Sequence, residues 1–341
     1  MRGRQVLVVA AGAAVLMLTG CTGVTPATTT SAKPSTTPVA TSPAAAGAVG
    51  QWGRAIAVPG LAALDNGKHG RAMSVSCASA GNCAAGGFYT SHGSQGFVIS
   101  ERHGRWGRAI AVPGLAALNR GAGGVEGAYV DSVSCGSVGN CSAGGFYFDQ
   151  HRHPQGFVVS ERNGRWGQAI EVPGLGALNQ GGRAFVNSVS CGSAGNCSAG
   201  GTYLDQRRHP QGYVVGEWHG RWSRAIEVPG LAALNRAAGE EYGAEVESVS
   251  CSSAGNCAAG GYYSTQPAAD RLRQQAFVVS EQNGHWQMAI EVPGTAALNA
   301  GHYAEGMAIG IILLGLILIL TAILTAIQLG GDRASARPWR H

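Results

Sequence analysis

One phrase, written five times, constrains this chain more than any other property. Trp-Gly-Arg-Ala-Ile-Ala-Val-Pro-Gly-Leu-Ala-Ala-Leu opens at Trp52 and returns with few changes at Trp106, Trp166, Trp222 and Trp286. Four of the copies run on into Ser-Val-Ser-Cys, a five-residue gap and Cys-(Ala/Ser)-Ala-Gly-Gly. They close on an apolar run such as Gly156-Phe157-Val158-Val159-Ser160-Glu161. A unit repeated in this way buries its apolar faces by stacking on its neighbours. Glycine supplies 54 of the 341 residues and only 13% are charged, which disfavours an all-helical or a disordered chain.

Each complete copy offers four short strand candidates. Ile170, Glu171 and Val172 alternate apolar and polar with period two, and Pro173-Gly174 ends that run. Ser-Val-Ser-Cys and the Cys-x-Ala-Gly-Gly segment form one hairpin, and the Phe-Val-Val run with the next Trp phrase forms another. Asn163-Gly164 and Asn283-Gly284 suit type I′ turns. Four-stranded units at a period of about 55 residues mark propeller blades. The expected fold is therefore all-β: a β-propeller-like array of about four four-stranded repeats over residues 51–304. A β-solenoid competes, but its coils repeat in fewer residues. Five Trp phrases against four complete sets leave one fourth strand over, as a terminal cap, an overlapped closure or a remnant of a longer propeller.

Both ends of the chain read as membrane signals. Residues 1–21 carry Arg2 and Arg4, then an apolar run from Val6 to Leu18, which is the layout of a secretory signal. The following Leu18-Thr19-Gly20-Cys21 resembles the lipobox of bacterial lipoproteins, and that resemblance implies cleavage before Cys21 and its lipidation. An ordinary signal peptide with a chance cysteine is the alternative. Residues 22–50 are almost wholly Thr, Ser, Pro, Ala and Gly and form an expected disordered linker, with a reach on the order of 80–90 Å. A predicted transmembrane helix covers 307–329, including the uncharged run Ala308 to Leu329, whose length of about 33 Å matches a bilayer core. Arg333, Arg337 and Arg340 in the tail, 330–341, place the C-terminus in the cytoplasm and the bulk of the chain outside the cell membrane. Counting on from Trp286, Ile311 stands where the next repeat would need a cysteine. Either an anchor replaced that blade or the reading frame shifted there.

Eight of the nine cysteines fall in pairs: Cys77 and Cys83, Cys135 and Cys141, Cys191 and Cys197, Cys251 and Cys257. In an exported chain such pairs, straddling a hairpin, are expected to be disulfides. Zinc binding competes, although its knuckles favour shorter gaps. The Ser-Val-Ser-Cys-x-Ser-Ala-Gly-Asn-Cys-x-Ala-Gly-Gly phrase resembles a repeat of secreted actinobacterial proteins of propeller type. The turn Ser160-Glu161-Arg162-Asn163-Gly164-Arg165-Trp166 resembles a degenerate Asp-box, with Arg at the Asp place and one residue fewer before Trp. That departure carries over no sialidase chemistry.

Charge and patterning bound the function. The net charge of +5 arises at the chain ends, so the repeat body lacks the footprint of a nucleic-acid binder. Glu101, Glu161, Glu217 and Glu281 recur at one position, and Glu171, Glu227 and Glu291 at another. A catalytic pair occurs once per site, so repetition argues for structural bonds or solvated faces, and the same holds for the tryptophans. Length changes collect in the connection from the Trp phrase to the first cysteine and in the loop between second and third strands. In a propeller these two share one face, and loops on a rigid scaffold are where binding sits. The candidate ligand residues on that face are Asp149, His151, Arg152 and His153, then Asp205, Arg207, Arg208 and His209, then Arg271 and Arg273. They read as a basic rim for acidic glycans or a protein partner, as a weak metal set, or as solvated loops with no function of their own. No nucleophile motif, phosphate loop or metal box is present, so neither a cofactor nor a metal is expected. The expected role is a membrane-anchored surface protein that binds a glycan or an envelope protein. A carbohydrate-active hydrolase or lyase and a structural spacer are the alternatives; a single, non-repeated carboxylate pair on the loop face would mark the hydrolase.

Overall fold

The computed structural model describes residues 54–65, 69–91, 93–121, 127–235, 243–268 and 271–298. The expected signal segment, linker, membrane helix and basic tail lie outside the described residues.

Four antiparallel sheets follow one another along the chain. The first holds β1 (Arg71–Ser79), β2 (Asn82–Thr90), β3 (Ser94–Arg102), β4 (Arg105–Trp106) and β5 (Ile110–Ala111). The second holds β6 (Tyr129–Ser137), β7 (Asn140–Phe148), β8 (Pro154–Arg162), β9 (Arg165–Trp166) and β10 (Ile170–Glu171). The third holds β11 (Ala184–Ser193), β12 (Asn196–Leu204), β13 (Pro210–Trp218), β14 (Arg221–Trp222) and β15 (Ile226–Glu227). The fourth holds β16 (Ala244–Ser253), β17 (Asn256–Ala268), β18 (Arg271–Gln282), β19 (His285–Trp286) and β20 (Ile290–Glu291). Three long strands pair in sequence order, and the two dipeptide strands both pair with the third. The Trp phrase is thus a fourth strand broken in two, and each sheet takes the phrase that follows it. The first phrase is the one left over. From Arg54 it forms no strand; Val58, Leu61 and Leu64 instead cap the first sheet beside Phe97 and Ile99.

The strand run ends at Pro-Gly, as the alternation predicts, and beyond it each phrase makes one helical turn: α1 (Leu61–Leu64), α2 (Leu115–Leu118), α3 (Leu175–Leu178), α4 (Leu231–Leu234) and α5 (Thr295–Leu298). The glycine after the proline causes this. Gly114, Gly174 and Gly230 adopt left-handed φ of 77°, 76° and 79°, which turns the chain inward and buries Leu115, Leu175 and Leu231. Burying each leucine contributes about 1.5–3 kcal/mol.

The four cysteine pairs are disulfides, each joining residues directly opposed across the first hairpin. The Ala-Gly-Gly phrase follows from close approach on two sides. A Cβ on Gly144 would lie 2.6 Å from Val186 of the next sheet, and one on Gly145 would lie 1.9 Å from the Tyr129 carbonyl.

The core lies between sheets. Val98, Val112 and Leu115 of the first repeat pack with Val130, Val133, Ala143 and Val159 of the second, and this layer recurs between the second and third and the third and fourth sheets. First strands are neighbours, and each layer is crossed by hydrogen bonds. The amides of Val133 and Cys135 donate to Ser74 Oγ and Ser76 Oγ of the preceding sheet at 3.0 and 3.1 Å; Val189, Cys191, Val249 and Cys251 repeat the pattern. On the outer side, Ala169 N–H donates to the Pro113 carbonyl at 2.8 Å, with equivalent bonds at every step.

The repeated glutamates sit in the same layers. Glu161, Glu217 and Glu281 are buried. Glu217 accepts from Ser142 Oγ at 2.8 Å and Ser160 Oγ at 2.7 Å, both of the preceding sheet. Trp222 Nε1 donates to the same Ser160 at 3.2 Å. The Ser and Trp of the Asp-box-like turn therefore serve contacts between sheets.

Candidate functional site

Two faces are distinguished by their connections. On one, Asn140 Oδ1 accepts from the Asn163 amide, tying the first hairpin turn to the third, and sheets one, three and four do the same. These third turns carry left-handed pairs, with φ of 48° and 74° at Asn163 and Gly164, the signature of the expected type I′ geometry. On the other face the Trp-phrase exits meet the loops between second and third strands. Buried Asn119, Asn179 and Asn235 bring them together: the amides of Phe148, Leu204 and Ser264 donate to their Oδ1 atoms.

The candidate residues lie on this loop face with distinct roles. Asp149 Oδ1 accepts from the amides of His151 and His153 at 2.8 and 2.9 Å, and Asp205 Oδ1 accepts from Arg207 and His209 at the same distances. Both aspartates shape their own loops. His153 lies 4.0 Å from Asp149 Oδ2 and His209 lies 3.9 Å from Asp205 Oδ2. Arg152 and Arg208 occupy left-handed positions at φ 63° and 64°. His151 and His153 stand with ring centroids 6.2 Å apart. The fourth copy departs from the loop that the sequence predicts. Arg271 and Arg273 lie within β18, paired with Ala268 and Thr265 of a lengthened hairpin, because the longer insertion extends the two strands. Among the described residues no group of three His, Cys, Asp or Glu side chains is arranged to hold a metal ion.

A richer constellation lies where first strands begin and second strands end, at the loop-face end of the innermost strands. Phe88, Tyr129, Phe146 and Phe185, all half-buried, form a continuous row across three sheets with successive centroids 4.5, 5.0 and 5.0 Å apart. The Arg183 guanidinium lies 5.2 Å from the Phe185 ring centroid. Beside this row, one register of the first strands carries Met73, Asp131, Asn187 and Glu247 in the four sheets. Burial pushes the Asp131 carboxyl up to about 6 from its ordinary 3.8. Glu247 is also raised, by burial and then by Glu245. Tyr262 is raised by burial and by its hydrogen bond and charge contact with Glu245, with Arg183 opposing. Asp131 thus holds its proton to higher pH than a free carboxyl does, and at neutral pH it is chiefly an acceptor. Sequence reasoning missed this set because it looked for variation in loops. The signal was present: just before the constant Ser-Val-Ser-Cys, two positions of the first strand change in every copy, Arg71, Tyr129, Phe185 and Glu245 at one and Met73, Asp131, Asn187 and Glu247 at the other.

A third feature lies at the outer rim. Arg162, Arg165, Gln168, Arg221 and Trp222 line an open groove of about 520 Å³ between the second and third sheets. No Asp or Glu lines it.

No protein-family description matches this chain, and no curated protein does. Among solved structures, the Hadza microbial sialidase Hz136 aligns with a TM-score of 0.40 and 10% identity over 65% of this chain and 46% of its own. The Trypanosoma rangeli sialidase in complex with sialic acid aligns with a TM-score of 0.39 and 12% identity, over 66% and 38%. A Dyadobacter fermentans protein of unknown function aligns with a TM-score of 0.38 and 12% identity, over 67% and 70%. The chain spans less than half the length of the two sialidases.

Proposed function

We propose that this chain is a membrane-anchored, extracytoplasmic binding protein whose ligand is a carbohydrate chain, held on the inner loop face by the aromatic row. The observation that carries this reading is the row itself: four half-buried rings bordered by Asp131, Asn187 and Glu247. Apolar faces of sugar rings stack on aromatic side chains, and sugar hydroxyls need donors and acceptors at the margin. An amide, which both donates and accepts, and the flanking carboxyls supply both. Lipidation of Cys21 and a C-terminal membrane helix would hold the domain at the envelope, with residues 22–50 as a stalk.

The test is a glycan-array screen of the full chain in detergent, beside Tyr129→Ala, Phe146→Ala and a rim variant, Arg165→Ala with Arg221→Ala. Loss of two stacked rings is expected to weaken binding at least tenfold, equivalent to about 1.4 kcal/mol, while the rim variant binds normally. Binding lost only in the rim variant would move the site to the outer groove, and binding to no glycan would reject a carbohydrate ligand. Anchoring is checked separately by the mass of the N-terminal peptide, which should carry lipid at Cys21 and lose it in Cys21→Ala.

A further inference from the structure

The repeat body is nearly neutral, yet its charges are sorted by place. Acids lie inward: Glu161, Glu217 and Glu281 are buried, and Asp131 and Glu247 stand on the innermost strands. Arginines collect at the outer rim, on the third and fourth strands. The first sheet carries Arg102, Arg105 and Arg108 there, the second Arg162 and Arg165, and the third Arg221 and Arg224, all exposed. The fourth sheet ends the run, with His285 and Met288 at the corresponding places.

This placement runs against stability. Arg162 and Arg165 are directly opposed in the register of β8 and β9, as Arg102 and Arg105 are in the first sheet. Like charges so placed repel. Among the described residues Arg162, Arg165 and Arg221 make no ion pair, whereas Arg102 has Glu161 at 3.8 Å. The Arg162 guanidinium is nevertheless held in place, since it lies across Gly220 of the next sheet, where a Cβ would overlap it. Gly164 seats Arg102 in the same way. A repulsive pair kept without a compensating acid marks a site whose counter-charge comes from outside the fold.

Arg162, Arg165 and Arg221 border the groove of about 520 Å³ between the second and third sheets, which is far larger than one small anion. Its polar side chains are mostly donors. A guanidinium has five N–H donors and no acceptor. Ser160 Oγ is engaged by Ser142, Glu217 and Trp222 Nε1, which leaves the Gln168 amide as the free side-chain acceptor in the lining. A polysaccharide brings hydroxyl donors all along its length and would find few partners here. A phosphodiester chain brings acceptors, and guanidinium forks match its oxygens. Ile170, 42% exposed, offers apolar surface to the carbon links between phosphates.

We propose that the outer rim binds a linear phosphodiester polymer, seated in this groove and continued along the arginines of the first sheet and Arg224. The site is separate from the aromatic row and does not depend on the carbohydrate reading. Carboxyls border the row and repel a polyanion; the rim groove has none.

The test is titration calorimetry of the full chain in detergent with synthetic poly(glycerol phosphate). Binding is expected to weaken as salt rises, with a log–log slope that falls by about one for each arginine neutralised. Arg165→Glu should weaken binding about tenfold or more and at the same time raise the unfolding midpoint, because it sets an opposite charge against Arg162. A purely structural arginine would move both readouts together. Arg165→Gln repeats the binding test should Arg165→Glu lower the midpoint. Arg120→Glu, the same charge change at an exposed position away from the rim, should bind as wild type does. Inorganic phosphate at equal phosphorus should fail to displace the polymer. The proposal is overturned by absent binding, by undiminished binding in the Arg165 variants, by an equal loss in Arg120→Glu, or by displacement with inorganic phosphate. Tighter binding of single-stranded DNA, of hyaluronan or of micelles carrying an anionic phospholipid would overturn it as well.

Discussion

Replacing Asp131 by Asn is expected to stabilise the fold and to remove one component of its pH dependence. The carboxyl is held at about 6 in the folded chain against an ordinary 3.8, and burial is the cause. Because the native state keeps the proton longer than the unfolded one, stability from this group is greatest below pH 3.8. It falls as pH rises and is fully lost above about 6. The difference corresponds to about 3 kcal/mol above pH 6. Asn is already accommodated at this register, since Asn187 donates to the Val246 carbonyl of the next sheet at 2.9 Å. By equivalence an amide at 131 would donate to the Val186 carbonyl. For a domain of this size, a gain of about 3 kcal/mol raises Tm by about 6–12 °C. Calorimetry of the oxidised chain at about pH 8 and below about pH 4 checks it. The variant should exceed wild type at the alkaline end and match it at the acid end. A variant no more stable under alkaline conditions, or an equal gain at both ends, would refute the reasoning. The same variant should weaken carbohydrate binding, as stability gained by neutralising a functional carboxyl usually does.

The repeated glutamates should differ in a way their shared position does not suggest. Glu217→Gln removes one of two charge-assisted bonds from serine hydroxyls and should cost about 1.5–3 kcal/mol by denaturant titration. Glu161→Gln should fall within about 1 kcal/mol of wild type, because Oε2 is buried with no hydrogen-bond partner and only Oε1 receives Ser100; equal losses at both sites would sink the account. Converting Cys251 and Cys257 together to Ser opens a very short loop, so the loss should be modest, about 2 kcal/mol, and the first hairpin of the fourth sheet should gain amide exchange before the others.

The parts legible in the sequence are those the repeat writes several times over. Ser-Val-Ser-Cys and Ala-Gly-Gly each appear four times, and an apolar third-strand run accompanies every one of them. Each phrase meets a single physical need. The serines supply hydroxyls to the next sheet's amides, the glycines allow close approach, and the third-strand valine fills the layer between sheets. Averaging over copies makes such needs visible. The helical turn after each Pro-Gly was not legible, since Leu-Ala-Ala-Leu fits an apolar strand as well as a turn of helix. Its direction is set by a left-handed glycine and a tertiary space for leucine. Asn119, Asn179 and Asn235 were likewise hidden, because all but one of their bonds run to residues 24–29 positions away.

The candidate site obeys the opposite logic. In a stacked array, residues that hold neighbours together must match from copy to copy, because each serves the same interface. A ligand meets several copies at once and has no such symmetry, so the residues that recognise it are free to differ. Asp131, Asn187 and Glu247 occupy one register on three adjacent first strands and carry an acid, an amide and an acid; the fourth place is Met73. Their backbone is fixed by constant neighbours, Ser132, Ser188 and Ser248 immediately after them, two of which bind the next sheet directly. Chemistry that varies is thereby held by geometry that does not.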